Sequence, residues 1–277
     1  MHPRIHPTAV IHPKAELDPT VTVGPYCVIG DGVRIGPGTV LHNHVTVQGP
    51  AVIGAENEIF PYVVLGAEPQ DLKYKGHDTA LILGDRNKVR EHATIHRGTE
   101  LGGEKTVIGS DCLIMVGVHI AHDCHIHDHV VIANGTMLGG HCRVEERAGI
   151  GGGVGIHHFT TIGRLSFTGG FSRITHDVPP YLVVEGAPAE PRKVNSVALS
   201  RAGWDGAHID RLRAAYRLIF RQNGIPAADA IDALRRETGQ LAAVLELCDF
   251  LERVQMGVHG RQAERQRSQP GSDSAAG

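Results

Sequence analysis

Residues 108–138 read IGSDCL IMVGVH IAHDCH IHDHVV IANGTM L, and every group of six opens on an aliphatic residue. Ile108, Ile114, Ile120, Ile126, Ile132 and Leu138 set this register, which continues through Val144, Ile150, Ile156 and Ile162. Toward the N-terminus the same spacing runs unbroken from Ile5 to Leu65. It resumes at Leu83, Val89, Ile95 and Leu101, with one residue skipped before Ile108. The fourth residue after each aliphatic is small or β-branched, as at Ala9, Ala15, Val21, Cys27, Val33 and Thr39. Residues two apart in a strand share a face, so this small residue and the next aliphatic both point inward, and the residue between them points outward. A six-residue period of this kind is the repeat of a parallel β-helix. Three hexads make one triangular coil, and coils stack ~4.8 Å apart, so the register predicts about eight coils in a column roughly 40 Å tall.

Composition agrees with that reading. The 277 residues include 35 glycines and only 4% aromatics, as expected of many turns around an aliphatic core. A net charge of -3 argues against bulk nucleic-acid or membrane-surface binding. No apolar run is long enough to span a bilayer, and Met1-His2-Pro3-Arg4 lacks the apolar core of a secretory signal, so a cytoplasmic protein that is not integral to a membrane is expected. Cys27, Cys112, Cys124 and Cys142 all fall on the small inward position and read as buried packing residues. With no C-x-x-C pair, the five cysteines imply neither a disulfide framework nor a thiolate zinc site.

The expected organisation is a β-helix over residues 1–190, with an insertion loop at 67–82, an α-helical C-terminal domain over 191–257 and a disordered tail over 258–277. Ile209, Leu212, Tyr216, Ile219 and Phe220 follow helical spacing, with Asn223-Gly224 as the stop; Ala228 to Arg236 and Leu241 to Met256 predict two more helices. From Arg192 to Arg221 there are seven basic residues against Asp205 and Asp210, which is either a solvated face or a docking patch for an acidic partner.

Ile120, Leu138 and Ile156 are one coil apart, and His119, His122, His141 and His157 stand beside them at outward or corner positions. Four imidazoles therefore gather outside one edge. Two chemistries suit them. A histidine titrating near neutrality serves as a general base toward a hydroxyl. Alternatively, three neutral imidazoles (His119, His122 and His141) hold zinc with an open water position. The five-residue histidine pair expected of the zinc arrangement is missing, residue 117 being Gly.

Five ordered segments are more specific than the hexads: Gln70-Asp71-Leu72-Lys73-Tyr74, Ile95-His96-Arg97-Gly98, His119-Ile120-Ala121-His122-Asp123-Cys124, Gly140-His141 and Asp177-Val178-Pro179-Pro180-Tyr181. Together they resemble the signature of the UDP-N-acetylglucosamine acyltransferases, and the similarity spans roughly residues 5 to 256. The resemblance implies a left-handed β-helix, although crossover connections in sheets are ordinarily right-handed. It also implies a homotrimer, no metal or diffusible cofactor, and transfer of a 3-hydroxyacyl group from acyl carrier protein to the 3-position of UDP-N-acetylglucosamine, the first step of lipid A biosynthesis. By the same resemblance His122 is the general base, Asp123 its acidic partner and Gly140 the backbone donor to the oxyanion. Gln70, Asp71, Lys73, His119, His141, His157 and His158 position substrate, Gly170 lines the acyl groove, and Asn195 and Arg201 face the nucleotide.

Three positions depart from the family pattern. His158 replaces a Gln, and Pro188 and Ala202 stand where a polar residue and a second Arg are expected. The last two bear on chain length and nucleotide contacts more than on the chemistry. Acylation of an amine on a UDP-sugar is the enzymatic alternative. A catalytically retired β-helix is the other, against which the joint presence of His122, Asp123, Lys73 and Gly140 argues.

Overall fold

The computed structural model describes residues 4–222, 224–237, 239–257 and 260–263. The hexads form a left-handed parallel β-helix with three flat faces. Face 1 holds nine strands, from Val10–Ile11 to Arg173–Ile174, and face 2 holds eight, from Glu16–Leu17 to Thr161–Ile162. Face 3 starts at Thr22–Val23 and ends in Leu182–Gly186 and Ala189–Val194, its one antiparallel pair. The aliphatic register stacks on itself, Ile120 beside Leu138 and Leu138 beside Ile156, and fills the interior.

The inward position four residues after the aliphatic does more than fill space. Cys27, Cys112, Cys124 and Cys142 are buried, and each Sγ donates to a carbonyl of the next coil, as Cys124 does to Gly139 O at 3.2 Å. Thr39 and Thr136 donate to Gly54 O and Gly151 O in the same way. Asn57 and Asn87 extend this into a ladder, each side-chain amide donating to one carbonyl while its Oδ1 accepts the N–H of the residue stacked below. The buried polar groups of these cysteine, threonine and asparagine side chains are thus satisfied, whereas Thr160 Oγ1 and Ser166 Oγ at the same register position have no partner among the described residues.

Corners are made by the residue three places after the aliphatic, which is left-handed in most coils: Tyr26, His44, Glu56, Arg86, Asp123 and His141 all have φ between 54° and 61°.

Leu101 is not a register residue. Leu83 stacks on Ile108, and Leu101 lies 72% exposed in the 3₁₀ turn Glu100–Gly102. The insertion between faces 1 and 2 is therefore seven residues long, one hexad plus one, which is why counting took Leu101 for a further repeat. The earlier insertion leaves the same corner, between the strands Val64–Ala67 and Ala80–Leu83.

Beyond the hairpin lie α1 (Ser196–Arg201), α2 (Gly206–Phe220), α3 (Ala227–Arg236) and α4 (Ala242–Met256). Periodicity marks the last three within a few residues, whereas α1 and the hairpin had no periodic signal. The helices share a second core in which Tyr181, Leu199, Leu212, Val244 and Leu247 are buried. Asp205 caps α2 by accepting from His208 N at 2.8 Å. Asn223, half of the expected helix stop, lies outside the described residues, as does most of the expected disordered tail. Of that tail, Gly260–Ala263 is described and forms a 3₁₀ turn against Asp177. No described helix is long and apolar enough to cross a membrane.

Asp177 Oδ1 accepts from Thr161 N and Arg261 N, while Oδ2 is buried without a hydrogen-bond partner among the described residues. Burial pushes its pKa up to about 6. The folded state thus holds this proton more tightly than the unfolded chain does, where the value is ~3.9. The resulting stabilisation is complete below about pH 4 and is lost as pH rises through about 6. The stability of wild type relative to Asp177→Asn should accordingly fall by up to ~3 kcal/mol from about pH 4 to about pH 7. Denaturant unfolding of both proteins across that range checks this, and a pH-independent difference would contradict it.

Candidate active site

The corner between faces 1 and 2 collects both insertions and His96, His122, His141, His157 and His158, with His119 beside them. His122 is the second residue after Ile120 and Asp123 the third. In an extended strand they would point to opposite sides. The left-handed turn at Asp123 (φ 60°) brings them together instead, and His122 Nδ1 lies 2.7 Å from Asp123 Oδ2. The Asp123 side chain has no exposure at all, and that of His122 has 14%. Asp123 is further held by Thr99, whose N–H reaches Oδ1 at 2.8 Å and whose Oγ1 reaches Oδ2 at 2.6 Å. Burial pushes the Asp123 pKa up, but the hydrogen bonds from His122 and Thr99 outweigh it and hold the carboxyl below its ordinary value.

The other imidazoles surround this pair. His141 Nδ1 is 3.7 Å from Asp123 Oδ2, and its ring stacks on Phe159 at 4.3 Å. His119 Nδ1 pairs with Thr94 Oγ1 at 2.8 Å, and its ring meets the edge of His96. Burial lowers the pKa of His96 to about 4, with help from His119 and His122, and lowers that of His119. His157 Nδ1 pairs with the carbonyl of His158 at 3.2 Å. Gly140 lies one coil below His122, and a Cβ there would come within 2.5 Å of the imidazole. Its own N–H has no acceptor among the described residues.

An open groove of about 520 Å³ runs down face 1 from Gln70 and His119 past His122, Met137, Gly140 and His157 to Arg173. Of the expected site residues, Gln70, His119, His122, Gly140 and His157 line it. Asp71 and Lys73 sit on the adjoining loop, with Asp71 Oδ1 accepting from Lys73 N. Arg97 pins that loop by donating to Gly49 O, Gly66 O, Glu68 and Tyr74 Oη. Gly170 is exposed at the opposite edge of face 1 and does not line the groove. Asn195 is buried with its side chain engaged by Ala198 N and Leu165 O. Arg201 lies in a separate groove between α1 and α2. Thr99, Thr94, His96 and Arg97 were not singled out by sequence pattern. For His96 and Arg97 the signal was there, inside a segment quoted for its resemblance.

His122, Asp123 and His141 present ligand atoms within 4.8 Å of one another. Two of the three groups are already committed to each other, since His122 Nδ1 bonds to the Asp123 carboxylate, which also receives two donors from Thr99. His119, a member of the expected zinc set, faces Thr94 and is not part of this cluster. The arrangement is an imidazole hydrogen-bonded to a buried carboxylate, not a preformed cage of free ligands.

A left-handed β-helix with a carboxylate-oriented histidine at a groove defines a hexapeptide-repeat transferase. Sequence comparison agrees: a bacterial transferase hexapeptide model matches residues 2–43 and 105–140, and a model described as Udp N-acetylglucosamine O-acyltransferase, domain 2, matches residues 177–259. An acyl-[acyl-carrier-protein]–UDP-N-acetylglucosamine O-acyltransferase of Anaeromyxobacter is 45% identical over 92% of this chain and 98% of its own, and one of Synechocystis is 49% identical over 85% of each. The crystal structure of UDP-N-acetylglucosamine O-acyltransferase from Moraxella catarrhalis superposes with a TM-score of 0.86 at 40% identity, covering 90% of this chain and 96% of that one. The chain belongs to the acyl-[acyl-carrier-protein]–UDP-N-acetylglucosamine O-acyltransferase family.

Gly140→Ala places a methyl against the His122 ring and should displace the imidazole. A 1 Å misplacement costs on the order of 10²-fold in rate, so turnover should drop by about that much while the circular dichroism stays that of the wild type. An active Gly140→Ala enzyme would show that the ring has room to move.

Proposed function

We propose that this protein transfers a 3-hydroxyacyl group from acyl carrier protein to the glucosamine 3-hydroxyl of UDP-N-acetylglucosamine, the first step of lipid A biosynthesis, as a cytoplasmic homotrimer. The observation that carries the reading is the His122–Asp123 pair at the groove. With Nδ1–H committed to Asp123, Nε2 is the basic nitrogen. It takes the proton of the acceptor hydroxyl as that oxygen attacks the thioester carbon. The N–H of Gly140, which has no acceptor among the described residues, donates to the charge that develops on the carbonyl oxygen. Collapse breaks the carbon–sulfur bond, and the imidazolium returns its proton to the leaving thiolate. General base and backbone donor suffice, so the reaction calls for no metal and no diffusible cofactor. His119, His141, His157, His158, Gln70, Asp71 and Lys73 position the sugar and acyl group around this centre.

Asn195 and Arg201 do not line the His122 groove of their own chain. As nucleotide-facing residues they serve a groove supplied by a neighbouring copy, which supports a site shared between protomers. Gly170, exposed at the edge of face 1, borders the acyl path in such an assembly.

Acyl carrier protein docks on the basic segment that runs into α2. Several of its charges are spent internally: Arg213 pairs with Asp210, Arg211 with Glu237, and Arg221 donates to Tyr216 Oη. The Lys193 and Arg217 side chains are exposed and make no hydrogen bond or ion pair among the described residues, so they carry the attraction.

His122→Ala should cost roughly 10²–10⁴-fold in turnover with little loss of stability. The assay uses UDP-N-acetylglucosamine with a panel of acyl carrier protein thioesters, and mass spectrometry of the product separates an ester from an amide. Near-normal turnover of the variant, or a full equivalent of zinc in the active wild type, would sink the base assignment. Turnover at low donor concentration should also fall steeply with salt. Charge reversal at Arg217 and Lys193 should raise the donor KM and leave that of the UDP-sugar alone; salt-insensitive kinetics would return this segment to a solvated face.

A further inference from the structure

The carboxylate that orients His122 is itself oriented, and by a loop interrupting the repeat. Ile95 stacks on Ile120 across an interval of twenty-five residues where an uninterrupted coil has eighteen. The added chain brings Thr99 back to the corner, where it meets both oxygens of Asp123. Gly102 of the same loop lies so close that a Cβ there would come within 2.0 Å of Asp123 Cγ. From the other side, Thr106 Oγ1 accepts the backbone N–H of Asp123 at 2.8 Å. The loop also touches the first insertion, His77 Nε2 lying 2.7 Å from Glu100 Oε2.

Resting on the reading that Asp123 orients His122, we propose that Thr99 is a positioning residue for acyl transfer, fixing the Asp123–His122 bond through two hydrogen bonds to the buried carboxylate. Oδ2 is shared, accepting from Thr99 Oγ1 at 2.6 Å and paired with His122 Nδ1 at 2.7 Å. A donor on that oxygen does two things. It locks the carboxylate's rotation about its last bond, and it draws off negative charge that would otherwise stabilise the imidazolium. Thr99 therefore limits the proton affinity of His122 as well as its direction.

This gives a signature that a merely structural threonine lacks. Thr99→Val should lower kcat by about tenfold, the worth of one charge-assisted hydrogen bond, with both substrate KM values near those of the wild type. The acid limb of the kcat/KM profile should move to higher pH, because the carboxylate left with one donor fewer holds the imidazolium more strongly. Thr99→Ser should restore both kcat and the profile. If the valine variant does not fold, Thr99→Ala serves, since water can fill the space left. Gly102→Ala, pressing on the same carboxylate, should likewise lower kcat and spare KM. His122→Ala runs alongside: full activity there defeats the base assignment itself. With His122→Ala inactive, an unchanged kcat and unshifted profile in the Thr99 variants would overturn the proposal, as would a change confined to KM.

Discussion

The left-handed residue at the third place after the aliphatic is the constraint on which this molecule turns. A non-glycine residue pays ~1–2 kcal/mol there, and the chain accepts that cost at corner after corner. What offsets it is the core: each hexad sends an aliphatic side chain into the column, and full burial of one is worth ~1.5–3 kcal/mol. Aspartate and histidine tolerate this conformation better than most residues, and both occur at the corners. A left-handed corner also turns its side chain outward in line with the corners above and below. On one edge this stacks Tyr26, His44, Tyr62 and His92 at ring separations of 4.9 to 5.1 Å. On the edge between faces 1 and 2 it aligns Asp123, His141 and Phe159, and so supplies half of the candidate site.

A solenoid of this kind can lengthen at a corner without disturbing its ladder. Both insertions leave between faces 1 and 2, yet Ile53, Leu83 and Ile108 still stack in register. The first adds the Gln70–Tyr74 loop pinned by Arg97; the second adds the Thr99 clamp. The repeat provides rigid spacing of ~4.8 Å between coils, and the insertions provide the side chains that a strict repeat cannot place.

The fold was legible because its period is short and its aliphatic positions are unambiguous. The same strength misled at Leu101. An insertion of one hexad plus one residue, with a leucine at the expected place, cannot be told by counting from a repeat with one residue skipped. The clustering of histidines followed from the eighteen-residue coil. Contact between His122 and Asp123 did not, because neighbours in a strand diverge and only a left-handed φ at Asp123 reverses this. Thr99 is 24 residues from Asp123, four hexads but not a whole number of eighteen-residue coils, so a strict repeat would put the two at different corners. α1 was hidden for another reason: six residues are too few to display a helical period.

Electrostatics add to the distinction among the imidazoles that the hexad register by itself does not make. His96 and His119 lose proton affinity through burial, helped by the neighbouring imidazoles (His119 and His122 for His96, His122 for His119), so near neutral pH they stay uncharged. Keeping them neutral matters to the proposed reaction, since a second imidazolium beside His122 would oppose the charge that a general base there would carry. Asp123 works in the opposite direction. Its own pKa is depressed, so it stays ionised through the range in which histidines titrate. His122 is the imidazole joined to it by a hydrogen bond; His141 stands back at 3.7 Å and rests on Phe159. The groove thus holds one buried negative charge hydrogen-bonded to one accessible imidazole, that of His122, with His96 and His119 kept uncharged nearby.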